Sequence, residues 1–316
     1  MSRKILLTGA TGFVGSAVRA RLAELPDTNV IAAVRDLSLW QSSCAAVDYD
    51  LLSSCLPDLR GVDAVIHCAA RVHVMADNGP GAHHDYRVAN TDATVRLARH
   101  AVACGVRRFV FLSTIKVNGE TTQGRGPFTV NDTPAPLDPY SQAKHEAEQA
   151  LNVLAATSAL EIVIIRPPLV YGPGVKANFR ALMKLLDSGW PLPFGALGNR
   201  RSVIAVQNLA DLTVHCLDAP SAKGVVLARD SEQPTSSELM AAICNALGRR
   251  PRLVSVPASW LRLGGAALGK GKVMSRLCDA LEVSLDDTIS RLGWQPPLSM
   301  HDALKQTAQA YRAEKS

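Results

Sequence analysis

The sequence predicts an α/β fold in which a doubly wound parallel sheet is followed by a smaller, less regular C-terminal region. Short apolar segments alternate with segments of helical spacing through the first half of the chain. A glycine-rich turn joins the first such pair, and after Arg166 the composition shifts to proline- and glycine-rich turns. Strands that are apolar on both faces are typical of parallel sheets covered by helices.

The elements follow from these patterns in chain order. An apolar strand at 4–10, a helix at 15–25 and a strand at 29–35 predict a βαβ unit. The same alternation predicts strands at 64–68, 108–112 and 161–165 and helices at about 89–103 and 140–157. We therefore expect a dinucleotide-binding domain at 1–166, completed by about 201–220, and a smaller substrate-binding region at 167–200 and 221–316.

Composition excludes several classes of protein. The chain has 316 residues, 47% of them hydrophobic, and a formal net charge of +6 spread along the sequence, which indicates no nucleic-acid partner and at most a small anionic ligand. Its seven cysteines include no CxxC pair, as in a reduced compartment, and its histidines lack metal-ligand spacing. No apolar run is long enough for a signal core or a membrane span. We expect a soluble cytoplasmic protein with no metal and no membrane insertion.

The turn "TGATGFVG" carries the first functional prediction. It places Gly9, Gly12 and Gly15 between the first strand and the first helix. Glycines there allow a tight turn and a close approach to a pyrophosphate, which faces the free N–H groups of the helix. The position of the turn at the start of a βαβ unit predicts dinucleotide binding.

The end of the second strand bears on the cofactor. An arginine there can hold the 2′-phosphate of NADP, whereas an acidic residue takes the ribose hydroxyls of NAD. The strand ends "AAVRD", so Arg35 favours NADP or NADPH, with NAD as the alternative because Asp36 follows. A solvated strand-end charge is the other interpretation of Arg35. Asp50 and Leu51, after the third strand, are predicted on the adenine side.

Tyr140 and Lys144, in "PYSQAK", are spaced to lie on one face of a helix. Such a pair also occurs by chance on solvated helix faces. With the glycine turn and the motifs "HCAA", "LSTIKVNG", "RPPLVYGPG" and "GNRRSVIAVQNLAD", however, the chain resembles the extended short-chain dehydrogenase/reductases over nearly its whole length. The resemblance implies a Rossmann-type fold. It also implies the following cofactor-binding residues: Gly9, Thr11, Gly12, Phe13, Val14, Gly15, Ala69, Ala70, Tyr140, Lys144 and Pro167.

The catalytic residues are also implied by the resemblance. Thr114 falls at the family's Ser/Thr position, and Tyr140 and Lys144 match its YxxxK pair. A phenol transfers protons poorly near neutral pH unless a cation stabilises its anion, which is the role expected of Lys144 and the nicotinamide. Thr114 would hydrogen-bond the oxygen on the reacting carbon.

Three further residues are expected to bind substrate. By resemblance, Arg201 would bind the pyrophosphate of a nucleotide sugar, together with Thr114 and Tyr140 at the reacting sugar. Asn178 resembles an asparagine near the substrate phosphates, with a plain helix cap as its alternative. Arg276 resembles a late arginine on the uridine or phosphate side.

Within the family, "IHCAARVHVM" and "PPLVYGPGVKANF" look most like the 4-ketoreductases that form UDP-N-acetylquinovosamine for lipopolysaccharide O-antigen and other surface polysaccharides. Ile115 and Lys116 stand where dehydratases carry an acid pair, which argues against elimination of water. We therefore expect NADPH-dependent reduction of a UDP-4-keto-6-deoxy-N-acetylhexosamine. The alternatives are a UDP-sugar 4-epimerase with retained NAD and a non-catalytic nucleotide-sensing protein. The family also implies a homodimer.

Overall fold

The computed structural model describes residues 2–72, 81–267, 269 and 271–315. Residues 73–75 of the "IHCAARVHVM" motif lie outside these ranges. Within them lies one large parallel sheet with helices on both faces, followed by a second group of elements at the carboxyl edge of the sheet. The predicted doubly wound α/β fold is confirmed.

The main sheet has seven parallel strands in the spatial order β3-β2-β1-β4-β5-β6-β9. These strands are β1 (Arg3–Thr8), β2 (Thr28–Val34), β3 (Ala45–Asp48), β4 (Ala64–His67), β5 (Arg108–Leu112), β6 (Glu161–Arg166) and β9 (Gly224–Leu227). Every residue of β4 and β5 is buried, as expected for strands covered on both faces. The strand order reverses between β1 and β4, which is where such sheets bind ligands.

Eleven helices complete the described part of the chain. They are α1 (Phe13–Ala23), α2 (Ala82–Tyr86), α3 (Ala93–Ala103), α4 (Pro139–Thr157), α5 (Ala177–Asp187), α6 (Val206–Asp218), α7 (Ser236–Ala246), α8 (Ala258–Ala267), α9 (Gly271–Cys278), α10 (Asp286–Leu292) and α11 (Met300–Ala313). Helices α1 and α6 cover one face of the sheet, and α3 and α4 cover the other.

The second group of elements has its own apolar core. It is built on a two-stranded parallel sheet, β7 (Leu169–Tyr171) and β8 (Val203–Ala205), with α5, α7 and α11 packed around it. The main sheet takes its last strand, β9, from beyond residue 220, a segment that the sequence assigned to the smaller region. The division of the chain into those two parts stays a prediction.

The helix that carries the tyrosine and lysine pair begins one residue before its predicted start. The carboxylate of Asp138 accepts a hydrogen bond from the backbone N–H of Ser141 (2.7 Å), and Pro139 fills the first helical position. The first four residues of the helix predicted at 89–103 belong to a π-helical segment, Arg87–Asp92, which follows α2, and the regular helix α3 begins at Ala93.

Among the described residues, no helix combines the length and apolarity that a membrane span requires. All seven cysteines are free thiols. The described chain contains no cluster of three histidine, cysteine or acidic side chains arranged to hold a metal ion.

Candidate active site

The glycine turn lies at the switch point of the sheet, directly after β1. Gly9 has a left-handed backbone (φ 68°), and a Cβ atom there would lie 2.7 Å from the backbone nitrogen of Ala69. A Cβ atom at Gly15 would overlap the carbonyl oxygen of Gly9. Both positions therefore require glycine, because the turn folds back on itself and packs against the chain that leaves β4.

The start of α1 fits a phosphate group. Gly12 is its N-cap and offers no side chain to the first N–H groups of the helix. The first backbone amides of a helix have no partner within it, so those of Phe13, Val14 and Gly15 are available to an anion. Thr11 and Gly12 are exposed beside them. The predicted cofactor turn is thus present with the geometry that a pyrophosphate needs.

The residues predicted on the adenosine side are exposed or half-buried. Arg35 is exposed at the end of β2, and its guanidinium makes no hydrogen bond or ion pair with a residue in the described ranges. The carboxylate of Asp36 instead accepts hydrogen bonds from the backbone N–H (2.9 Å) and hydroxyl (2.6 Å) of Ser38. Asp50 and Leu51 follow β3, the strand next to β2, and are half-buried.

Two contacts join the loop after β5, which we call the Thr114 loop, to helix α4, which carries Tyr140. The Lys144 ammonium donates a hydrogen bond to the carbonyl oxygen of Leu112 (2.8 Å), two residues before Thr114. The Lys116 ammonium contacts the Asp138 carboxylate (2.5 Å), two residues before Tyr140. These two bonds hold the loop after β5 against the first turns of α4, so Thr114, Tyr140 and Lys144 share one site.

Lys144 is a buried cation. Its side chain is 2% exposed, and its nitrogen lies 4.3 Å from the centre of the Phe111 ring, where the ring face attracts a positive charge. Burial lowers the pKa of Lys144 to about 8, although Cys68 and Glu148 act to raise it. The lysine therefore titrates close to physiological pH.

The pKa of the Tyr140 phenol is raised in this structure. Burial raises its pKa above the usual value for tyrosine, and the charge of Asp138 and the neighbouring Tyr86 raise it further. Thr114 begins a short helical turn, and its hydroxyl oxygen accepts a hydrogen bond from the backbone N–H of Lys116 (3.3 Å). A positive charge at the cofactor position would be needed to make Tyr140 a stronger acid.

Beneath these residues lies a group of four buried polar side chains that we call the Glu148 network: Ser113, Asn118, Glu148 and Arg166. Glu148 (2% exposed) and Arg166 (4% exposed) form a bidentate salt bridge, and the Ser113 hydroxyl donates a hydrogen bond to the same carboxylate. Arg166 also donates to the side-chain oxygen of Asn118 (2.9 Å). The network joins α4, β6 and both ends of the Thr114 loop.

The positions after Thr114 carry no acid pair. The Ile115 side chain is 3% exposed, and Lys116 forms ion pairs with Asp138 and with Glu120 (3.5 Å). Loss of water from a sugar needs an acid and a base beside the reacting carbons. These two residues supply neither.

The structure places the two predicted substrate arginines next to each other, and Asn178 on a separate helix. The Arg201 guanidinium donates to the backbone oxygens of Arg276 and of Asp279 (3.1 Å), so the two predicted arginines are adjacent. Arg276 lies 3.8 Å from the Glu120 carboxylate, which links it to the Thr114 loop. Asn178 is exposed in the first turn of α5 and is not a plain cap, because the N-cap is Lys176.

Sequence reasoning missed Glu148, Arg166 and His67. Glu148 follows Lys144 by four residues on one helix face, and Arg166 is a charge at the end of an apolar strand, so both left a signal. His67 is buried beneath the site, with its two ring nitrogens 2.7 Å from the Thr8 hydroxyl and 3.0 Å from the Thr94 hydroxyl. Burial and then Lys144 lower the pKa of His67 to about 3, so the ring is neutral.

A phosphate-binding turn next to a tyrosine and lysine pair, at one edge of a doubly wound sheet, defines a Rossmann-type enzyme that uses a dinucleotide. The chain belongs to the NAD dependent epimerase/dehydratase family, whose model matches residues 5–227. It is 42% identical to a UDP-glucose 4-epimerase of Vibrio cholerae over 98% of this chain and 96% of that protein.

Solved structures of the same fold extend over almost the whole chain. A UDP-glucose 4-epimerase from Thermotoga maritima, with UDP-glucose, superposes with a TM-score of 0.78 at 21% identity, covering 99% of this chain and 100% of that one. A UDP-glucuronic acid 4-epimerase from Bacillus cereus, in complex with NAD, gives the same values. The family membership predicted from the motifs is confirmed. The relatives favour the epimerase alternative over the expected ketoreductase, and the preference for NADP stays a prediction.

Proposed function

We propose that this protein is a UDP-hexose 4-epimerase that retains one NAD molecule. The observation that carries the proposal is the 42% identity, over nearly the full length of both chains, with a UDP-glucose 4-epimerase. The retained triad of Thr114, Tyr140 and Lys144 supports it, because a non-catalytic relative has no need of all three. A homodimer and the substrate-binding roles of Arg201, Arg276 and Asn178 belong to the same proposal.

In this mechanism, the bound dinucleotide supplies hydride transfer at C4 of the sugar. Tyr140 takes the proton of the C4 hydroxyl and returns it after the sugar has presented its other face. Thr114 holds the C4 oxygen by a hydrogen bond throughout. The Lys144 cation stabilises the phenolate of Tyr140, and the Glu148 network keeps the loop of Thr114 against the helix of Tyr140.

The test is to incubate the purified protein with UDP-glucose, and separately with UDP-N-acetylglucosamine, without added cofactor, and to identify products by NMR. We expect the galacto epimer of at least one sugar. Tyr140→Phe should lower kcat by about 100- to 10,000-fold, the usual contribution of a general acid and base. Tyr311→Phe is the matched control and should keep full activity, because Tyr311 packs in the second apolar core and its hydroxyl contacts Asp187 and none of the three predicted catalytic residues.

One observation favours a second candidate. Arg35 is exposed with no described partner, as a residue that binds the 2′-phosphate of an exchangeable NADPH would be. The competing function is reduction of a UDP-4-keto-6-deoxy-N-acetylhexosamine. Failure to epimerise either sugar, combined with oxidation of added NADPH by that keto sugar, would replace the epimerase with the ketoreductase.

A further inference from the structure

Tyr86 is a second phenol at the candidate active site. It is the last residue of α2, is 2% exposed, and packs its ring edge-to-face on Tyr140, with ring centres 6.1 Å apart and planes at 71°. The side chain of Asn90 exchanges two hydrogen bonds with the backbone of Arg71 (2.8 and 2.9 Å). This clamp fixes the helical segment after Tyr86 to the chain that leaves β4, so the position of Tyr86 is well defined.

The hydroxyl of Tyr86 is buried and has no hydrogen-bond partner among the described residues. Buried hydroxyls are almost always satisfied, and an exception at a binding site points to a missing ligand atom. The surroundings are polar on one side, because the Arg71 guanidinium lies 5.8 Å from the centre of the Tyr86 ring.

We propose that the Tyr86 hydroxyl donates a hydrogen bond to a hexose oxygen of the bound UDP-sugar, next to the carbon at which Tyr140 acts. The assignment rests on the proposed function, which places C4 of the sugar at Tyr140. Of the two carbons next to C4, C3 carries a hydroxyl group, and C5 carries the ring oxygen and the C6 hydroxymethyl group. Oxygens on either side of C4 can therefore accept a hydrogen bond from a phenol. Tyr86 is then a sugar-binding residue that helps to hold each face of the hexose in turn.

The chain contains a matched control. Tyr49 is also buried (4% exposed), and its hydroxyl likewise lacks a described partner, but it follows the edge strand β3 and packs in the apolar cluster with Leu6 and Leu97. Removing either hydroxyl should leave folding intact, because neither one makes a bond that would be lost.

The experiment uses titration calorimetry on wild type, Tyr86→Phe and Tyr49→Phe. Affinities for UDP-glucose and for UDP are measured on the protein as purified, and the affinity for NAD is measured after the retained cofactor has been removed. Thermal unfolding without sugar nucleotide checks folding. We expect Tyr86→Phe to weaken UDP-glucose binding about three- to tenfold, the range for one neutral hydrogen bond. Its affinity for UDP and NAD should match wild type, and Tyr49→Phe should change none of the three.

Each other outcome overturns the proposal. Equal binding of UDP-glucose by wild type and Tyr86→Phe, with UDP bound by both, would remove Tyr86 from the sugar site while leaving the proposed function intact. A loss confined to NAD would assign the hydroxyl to the cofactor. Equal losses for UDP and UDP-glucose, or the same loss in Tyr49→Phe, would indicate a general structural effect. Wild-type protein that binds neither UDP nor UDP-glucose would contradict the proposed function itself.

Discussion

The two ends of the candidate active site are built from different materials. At the glycine turn, the predicted phosphate-binding groups belong to the backbone. Gly9 and Gly15 allow the turn to pack closely on itself and on Ala69, and the first amides of α1 are not capped by a side chain. At the reaction end, buried side chains position the predicted catalytic residues, because the Glu148 network and the hydrogen bond from Lys144 to Leu112 hold the Thr114 loop against α4. The first arrangement depends on missing side chains, and the second on charges whose burial is tolerated only in pairs.

The two arrangements should therefore fail differently. A small side chain added to the turn should abolish cofactor binding with little effect on the reaction end. Removal of a charge from the network should unfold the reaction end first. Four substitutions or titrations test this contrast, in decreasing order of expected effect.

Glu148→Ala should have the largest effect on stability. It leaves the Arg166 guanidinium buried and unpaired, a loss of about 3–5 kcal/mol in the free energy of unfolding. Glu146→Ala, two residues away on α4, is the control, because its partner Arg87 lies 3.7 Å away on the surface and such pairs contribute about 1 kcal/mol or less. Urea denaturation measures both. Equal losses in the two variants would mean that the buried network is not what joins the loop to the helix.

Gly15→Ala should act on the cofactor. The added Cβ overlaps the Gly9 carbonyl, and relief of that overlap costs about 3 kcal/mol, at the upper end for overpacking, or about a hundredfold in NAD affinity. Gly126→Ala is the control, since its Cβ meets nothing within 4 Å. Fluorescence titration with NADH gives both affinities. NADH binding by Gly15→Ala at wild-type strength would contradict the account of the turn.

The pH dependence of the reaction should report Lys144. Because its pKa is about 8, the cation is present below that pH and is lost above it, so kcat/KM should fall as pH rises through 8. Between pH 8 and the ordinary lysine value of 10.5, the unfolded chain holds the proton that the folded chain has released, so the contribution of Lys144 to stability rises with pH there. We therefore expect kcat/KM to fall above pH 8 while the melting temperature does not fall. A kcat/KM that stays constant up to pH 10 would contradict this account.

Arg35→Ala should have the smallest effect. With NAD as the cofactor, the lost surface charge should change cofactor affinity by less than about fivefold, as exposed charges contribute about 1 kcal/mol or less. A 2′-phosphate held by Arg35 would be worth about 1.5–3 kcal/mol, and its loss would weaken NADP binding tenfold or more. Affinities for NAD and NADP in wild type and variant show which holds.

The same contrast explains what the sequence could predict. The glycine turn and the YxxxK pair are local patterns, and β5 was predicted at the residues where it is found, because consecutive apolar residues specify a buried strand. The Glu148 network was not predicted, because its partners are 18 to 48 residues apart and meet only after β5, β6 and α4 pack together. Tyr86 was missed for the same reason, since its ring reaches Tyr140 across 54 positions of sequence.

The most direct test of the central claim follows hydrogen at C4. Purified protein with no added cofactor is given an equal mixture of two substrates. One is UDP-glucose deuterated at C4, and the other is UDP-glucose that carries ¹³C in the hexose and no deuterium. The galacto product is analysed by mass spectrometry. The account predicts that each product molecule keeps the hydrogen isotope of its own substrate, because the epimerase returns it within one binding event. Scrambling of deuterium into the ¹³C sugar, or a requirement for added NADPH, would contradict the retained-cofactor epimerase.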